Sequence, residues 1–185
     1  VWFGSSGSDA AETVYDFLPA ATRRRKIITF FGSHHGFTVG AHLLSGHAAS
    51  SRYLQSPNVV KVPYPYCYRC PFRKGESCCN YPIDFLKKEV FTNICPPDDA
   101  AGILLEPIEG FAGELVPPDD FIPQLRELCD KHGMLLVDDE VKSGMGRTGK
   151  MLAIEHVGVK PDAVILGKPL ASGMPLSAVV GRRRI

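Results

Sequence analysis

The sequence predicts an α/β fold with a mostly parallel central sheet and helices on both of its faces. Short apolar segments that favour strands recur along the chain, and segments with helical periodicity separate them. Strands of this kind are typical of a parallel sheet that is covered on both faces. The chain has 185 residues, 44% of them hydrophobic and 22% charged, which suits a domain of ordinary size with a buried core.

The first half of the chain predicts two helices and two strands. Residues 9–18 form an amphipathic helix candidate with Asp9 near its start, where the helix dipole favours negative charge. Pro19 predicts the end of this helix or a kink, because proline lacks the N–H that a helix interior needs. The later candidates are a strand over 26–31 (KIITFF), a helix over 38–44 and a strand over 59–62.

The second half of the chain carries sharper signals. A helix is predicted over 83–91 and another over 119–132, with Asp119 at the start of the second and Gly133 just past its end. Short apolar runs predict strands over 101–105, 134–137, 163–166 and 176–180. The alternation of these strands with helices completes the pattern of an α/β sheet.

Charge and hydropathy exclude two classes of protein. The formal net charge is +1, so we expect no nucleic-acid partner bound through bulk electrostatics. No apolar run approaches the roughly 18 residues that span a bilayer, so we expect no membrane segment. The basic runs 23–26 and 182–184 are predicted to be solvated, and His42 and His47 to lie on the surface.

Four of the six cysteines lie between Cys67 and Cys79, in the segment 63–82, which its prolines mark as a long surface loop. Cys67 and Cys70 have the spacing of half a zinc site, but the adjacent Cys78 and Cys79 make a poor second half. We therefore expect no metal site, reduced thiols and a cytoplasmic protein. The alternative is a non-catalytic module that binds zinc or RNA.

Candidate functional residues follow the predicted strands, at the edge where α/β sheets bind ligands. Asp138 and Asp139 follow the strand at 134–137, Lys168 follows the strand at 163–166, and Glu106 follows the strand at 101–105. The small-residue turn 4–9 leads into a helix N-terminus, which presents backbone N–H groups to an anion such as a phosphate.

A phosphorylated pyridine aldehyde needs three features in its binding site. These are a phosphate-binding turn, a carboxylate at the end of a strand and a lysine at the end of another strand. The lysine binds the aldehyde, and the carboxylate keeps the ring nitrogen protonated so that the ring accepts electrons from a substrate carbanion. The sequence therefore predicts pyridoxal 5'-phosphate as cofactor.

These segments resemble the class III aminotransferases, a branch of the fold type I pyridoxal-phosphate enzymes. The strongest match covers residues 136–150 (LVDDEVKSGMGRTGK) and continues through Gly167-Lys168 to residues 173–176 (GMPL). Weaker matches are residues 6–12 (SGSDAAE), His35-Gly36 and residues 106–110 (EPIEG). The resemblance runs over nearly the whole chain.

The resemblance implies two catalytic residues. Lys168 is similar to the Schiff-base lysine, which also moves the proton between substrate and cofactor carbons. Asp139 is similar to the partner of the pyridine nitrogen, whereas Asp138 points the opposite way along the strand and is structural. The resemblance further implies seven contacts around cofactor and substrate: Gly7 and Ser8 at the phosphate, His34 at the ring-stacking place, His35, Val141 and Lys142 around the ring, and Glu106 behind it on the substrate side.

Several positions depart from the family pattern. His34 stands where Tyr or Phe is usual, and Lys142 stands where many members have Gln. Pro169, after Lys168, replaces Ala or Gly and restricts the lysine backbone. Phe111 stands where ω-amino-acid members often hold an acidic residue.

The resemblance implies transamination of an amino acid or ω-amino acid with a 2-oxo acid acceptor. Racemisation, epimerisation or decarboxylation on the same fold would use nearly the same residues, and a fragment that binds cofactor without turnover is a further alternative. Family members are more than twice as long, so we expect residues 1–185 to be part of the large cofactor-binding domain, without the N-terminal segment and the C-terminal small domain. The resemblance implies a homodimer for the intact protein.

Overall fold

The computed structural model describes residues 1–52, 54–70 and 81–183. Within these ranges the strands are β1 (Trp2–Gly4), β2 (Lys26–Phe30), β3 (Val59–Val62), β4 (Ala100–Leu105), β5 (Leu135–Asp139), β6 (Ala163–Leu166) and β7 (Ser177–Gly181). The α-helices are α1 (Gly7–Thr22), α2 (Val39–Leu44), α3 (Ala48–Ser51), α4 (Tyr81–Phe85) and α5 (Phe121–His132). A π-helical segment, Leu86–Ile94, continues α4.

All seven strands form one sheet, in the order β1-β7-β6-β5-β4-β2-β3. The pairs from β3 to β6 are parallel, and β7 alone runs antiparallel, between β6 and β1. The predicted α/β fold with a mostly parallel sheet is therefore confirmed. Each predicted strand and helix is present, with its ends shifted by a few residues.

Three local features differ from the sequence prediction. The strand β1 and the short helix α3 were not predicted, because three or four residues carry no periodic pattern and β1 exists through its pairing with β7. Helix α1 does not end at Pro19 but continues to Thr22. Burial of Val14 and Leu18 against the sheet holds this helix and outweighs the missing hydrogen bond at Pro19.

The helices pack on both faces of the sheet, so the core has two layers. Helices α1 and α2 cover one face, where Leu18 and Leu44 pack with apolar residues of β2, β4 and β5. Helices α4 and α5 cover the other face, where Phe30, Tyr64 and Phe121 meet edge to face with ring centroids 5.5–5.8 Å apart. Full burial of side chains of this size contributes roughly 1.5–3 kcal/mol each.

One described residue of the cysteine loop, Cys67, differs from its prediction. Cys67 is disulfide-bonded, so the prediction of reduced thiols is wrong there. Cys70, Cys95 and Cys129 are not disulfide-bonded, while Cys78 and Cys79 lie outside the described residues. Across the described ranges, no group of three or more metal-ligating side chains is arranged to hold a metal ion, and no helix has the length and apolar character to cross a membrane.

The basic run 23–26 was predicted to be solvated, but Arg24 is instead bound to the backbone of other elements. Its guanidinium donates hydrogen bonds to the backbone carbonyls of Pro97, Ala100 and His132, at 3.4, 3.2 and 2.9 Å. It therefore ties the end of α1 to the start of β4 and the end of α5.

Replacing Arg24 with alanine should lower the free energy of unfolding by about 2 kcal/mol, because three partly buried carbonyls lose a charged donor. Arg25→Ala is the matched control: its side chain is 81% exposed, and its ion pair with Asp99 should be worth at most about 0.5 kcal/mol. Denaturant unfolding of the intact protein measures both. Equal losses for the two variants would contradict the assigned role of Arg24.

Candidate active site

A cavity of about 610 Å³ opens at the carboxyl edge of the sheet, beside the N-terminus of α1. The nine site residues predicted from the sequence all line it: Gly7, Ser8, His34, His35, Glu106, Asp139, Val141, Lys142 and Lys168. Residues up to 161 positions apart in the chain meet there, from Gly7 to Lys168, because parallel strands end at the same edge. Their individual roles remain predictions.

Asp139 is the last residue of β5, and its carboxylate is almost fully buried in the cavity wall. His35 Nδ1 donates to Asp139 Oδ2 at 2.7 Å, and the backbone N–H of Val141 donates to Oδ1 at 3.0 Å. These two donors fix the orientation of the carboxylate. The neighbouring Asp138 is fully buried and does not line the cavity, since successive strand residues point to opposite faces.

The start of α1 forms the second part of the cavity wall. Ser6 caps the helix by accepting the backbone N–H of Asp9 at 3.2 Å. The N–H groups of Gly7 and Ser8 have no acceptor among the described residues and stand at the positive end of the helix dipole. A Cβ at Gly7 would lie 2.8 Å from Val141 Cγ1, so only glycine allows this close approach.

Lys168 follows β6 and begins a short 3₁₀ turn, Lys168–Ala171. Its φ is +39°, in the left-handed region that side chains other than glycine rarely adopt. The following Pro169 disfavours the right-handed helical region for Lys168, so the departure noted in the sequence coincides with backbone strain. The side chain is exposed within the cavity.

A second cavity of about 360 Å³ adjoins the first, and Lys142 and Lys168 line both. Arg147 also lines the second cavity. Lys142, which was predicted to contact the cofactor, forms an ion pair with Glu114. No sequence pattern predicted this partner, because Glu114 lies in an irregular loop 28 residues before Lys142.

Glu106 and His34 are tied to each other. The backbone N–H of His34 donates to Glu106 Oε1 at 2.7 Å, and the N–H of Gly110 donates to Oε2 at 3.1 Å. Burial raises the pKa of Glu106. Burial also lowers the pKa of His34 to about 4, and lesser causes are repulsion from the protonated forms of His47 and His35 and from Lys168. His34 is therefore a neutral imidazole at physiological pH.

Sequence reasoning missed part of this site. The cavity is also lined by Gly36, Phe37, Gly110 and Phe111. His47 was predicted to lie on the surface, but it is only 8% exposed and contacts His34. Gly36 and Gly110 stood inside the motifs quoted above, whereas no pattern connects His47 to the site.

The residues of this cavity fit pyridoxal phosphate. Unpaired N–H groups at a helix start suit a phosphate, a fixed buried carboxylate suits a protonated ring nitrogen, and an accessible lysine suits an aldehyde. Val141 and His34 both line the cavity, and side chains of these two types can pack on a flat ring.

Comparisons with known proteins agree with this geometry. The family model of the class-III aminotransferases matches residues 1–185. An amine transaminase from an uncultivated Pseudomonas species, solved in its PLP-bound internal-aldimine form, superposes with a TM-score of 0.90 at 31% identity, over 99% of this chain and 43% of that chain. A taurine:2-oxoglutarate aminotransferase from Bifidobacterium kashiwanohense gives a TM-score of 0.89 at 33% identity, over 98% of this chain and 42% of that chain.

The curated relatives include proteins named as racemases and proteins named as aminotransferases. A leucine/methionine racemase of Thermococcus litoralis is 44% identical over 99% of this chain and 42% of its own length. A diaminobutyrate–2-oxoglutarate aminotransferase of Haemophilus influenzae is 34% identical over 97% of this chain and 40% of its own length. The chain thus spans about two fifths of the length of these relatives. With the fold type I sheet and a family match along its whole length, the chain belongs to the class-III aminotransferases.

Proposed function

We propose that the intact protein transfers an amino group from an amino acid or ω-amino acid to a 2-oxo acid acceptor. The cofactor is pyridoxal phosphate. One observation carries the proposal: the buried Asp139, the start of α1 at Gly7 and Ser8, and Lys168 all line the same cavity. Bound there, pyridoxal phosphate supplies an electron sink and a carbonyl group that carries nitrogen between two substrates.

Each residue has a separate task in this proposal. Lys168 Nζ takes the proton from the α- or ω-carbon of the substrate and delivers it to a carbon of the cofactor. Asp139, held by His35, keeps the proton on the ring nitrogen. The N–H groups of Gly7 and Ser8 bind the phosphate, and Val141 and His34 confine the ring.

Borohydride reduction in the presence of pyridoxal phosphate, followed by peptide mapping, tests the proposal. We expect the cofactor to be fixed on the peptide that carries Lys168, and Lys168→Ala to abolish the label. Lys142→Ala is the matched control, since it removes the other lysine of the cavity and should leave the label on Lys168. A label on Lys142, or no label in the intact protein, would contradict the assignment.

Racemisation or epimerisation is the second candidate. The relatives named as racemases or an epimerase are 44%, 42% and 40% identical to this chain, above the 34–36% of the relatives named as aminotransferases. Incubation with one enantiomer of an amino acid separates the reactions. Inversion without a 2-oxo acid indicates racemisation, and amino transfer that requires 2-oxoglutarate indicates transamination.

We further propose that the intact protein is a homodimer and that residues 1–185 belong to its large cofactor-binding domain. The apolar side chains of Phe37 and Phe111 are exposed at the cavity, and a partner subunit that covers them would support the proposed homodimer. Light scattering of the intact protein measures the subunit number. Location in the cytoplasm stays a prediction.

A further inference from the structure

His47 lies behind the wall of the 610 Å³ cavity and contacts His34, which forms part of that wall. His34 lines the cavity and His47 does not. His34 Nδ1 lies 3.1 Å from His47 Nε2, and the two rings are 5.2 Å apart. The ring of Phe111 packs on both, at 5.4 Å from His34 and 4.5 Å from His47.

The hydrogen bonds around His47 determine where its proton lies. The backbone N–H of Ser50 donates to His47 Nδ1 at 3.4 Å, so that nitrogen carries the lone pair. A neutral His47 must then carry its proton on Nε2, because an imidazole with lone pairs on both nitrogens would be an anion. Burial lowers the pKa of His47, which keeps it neutral.

The proton of His47 in turn determines the tautomer of His34. With hydrogen on His47 Nε2, the facing His34 Nδ1 can only accept, so the neutral ring of His34 carries its proton on Nε2. Ser50 Oγ, 2.9 Å from His47 Nε2, shares this donor. His34 Nε2 has no hydrogen-bond partner among the described residues and is the ring nitrogen left for a ligand.

We propose that His47 is a positioning residue that fixes the ring and the tautomer of His34, so that His34 offers an N–H donor to an acceptor oxygen of the molecule bound in the cavity. This rests on the proposed function only in that pyridoxal phosphate and its amino-acid substrate are the bound molecules. Both carry acceptor oxygens, in the phenolate and carboxylate groups. The cavity wall at this place is thus a directed donor and not merely a flat ring.

The backbone is built to bring His47 to this position. Gly46 lies so close to β2 that a Cβ on it would be 1.8 Å from the carbonyl oxygen of Phe30. Its N–H donates to the carbonyl of Ser33 at 2.9 Å, and its carbonyl accepts from Gly32 at 3.1 Å. The residues before His34 and before His47 are therefore joined directly, which sets the two rings at a fixed separation.

Nitrogen-15 NMR of the intact protein without cofactor, labelled in the histidine rings, tests the tautomer. We expect one signal pair for His34 with a protonated Nε2 and an unprotonated Nδ1, assigned by its loss in His34→Phe. In His47→Phe, which keeps an aromatic ring against Phe111, the two nitrogens of His34 should move toward averaged shifts. His42→Gln, a nearby histidine outside the site, should leave them unchanged. An unaltered His34 spectrum in His47→Phe would overturn the proposal.

Cofactor affinity supplies the second readout, in a double-mutant cycle. His47→Phe should weaken binding of pyridoxal phosphate about fivefold, and His47→Gln, whose amide can donate to His34, should recover most of it. In a His34→Phe background, His47→Phe should have no further effect. An equal loss in both backgrounds would mean that His47 acts only on the fold and would overturn the proposal. Because the NMR test needs no cofactor, failure of the proposed function would leave its result intact.

Discussion

Replacing Asp139 with asparagine should lower the turnover number by about 10²–10³-fold at saturating pyridoxal phosphate. The asparagine side chain retains the size and the acceptor oxygen of the aspartate but loses its negative charge. Without that charge, the ring nitrogen of the cofactor is no longer held protonated and the ring becomes a weaker electron acceptor. The donors from His35 and Val141 would then face a neutral group.

Asp138 provides a matched control on the same strand. Its side chain is fully buried and outside the cavity, and burial, with the charges of Glu140 and Asp139, raises its pKa well above the ordinary value. The raised pKa favours the protonated acid, which asparagine imitates, and Asp138→Asn should keep the turnover number within about twofold. Steady-state kinetics at saturating cofactor measure both variants. Comparable losses in the two would refute the assignment of Asp139.

Glu109→Gln should make the protein less sensitive to alkaline pH. The Glu109 side chain is fully buried, and neither carboxyl oxygen has a hydrogen-bond partner in the described part of the chain. Burial, followed by the charge of Glu106, raises the pKa of Glu109 from 4.5 to about 9. The folded protein therefore holds a proton that the unfolded chain has already lost at neutral pH.

The direction of the pH dependence follows from this difference in bound protons. Between pH 4.5 and about 9 the folded state binds more protons at Glu109 than the unfolded state, so this residue makes stability fall as pH rises. The slope for one proton is about 1.4 kcal/mol per pH unit. From pH 6 to pH 8, the free energy of unfolding of Glu109→Gln should therefore rise by about 2–3 kcal/mol relative to that of the parent protein.

Urea unfolding of the two proteins at pH 6, 7 and 8 measures the effect. The exposed Glu127 on α5 is the control site, and Glu127→Gln should track the parent protein at every pH. Parallel stability curves for Glu109→Gln and the parent would show that Glu109 is already ionised in the fold. The comparison needs only differences between proteins measured under the same conditions.

The sequence alone determined the sheet and most of the site. Short apolar runs such as 101–105 and 134–137 predicted β4 and β5 because burial on both faces leaves little choice of residue. Asp139 and Lys168 were predicted because they directly follow strands, and the edge of a parallel sheet brings such residues together. These inferences rest on local order along the chain, which the sequence contains.

Only the tertiary structure decided the contacts between distant loops. The place of His47 behind His34 depends on Gly46 approaching β2, and the clamp of Arg24 depends on three carbonyls that lie 73–108 residues away. The ion pair of Lys142 with Glu114 is of the same kind. Such contacts leave no periodic pattern, because they are selected by the packing of irregular segments and not by the repeat of a strand or a helix.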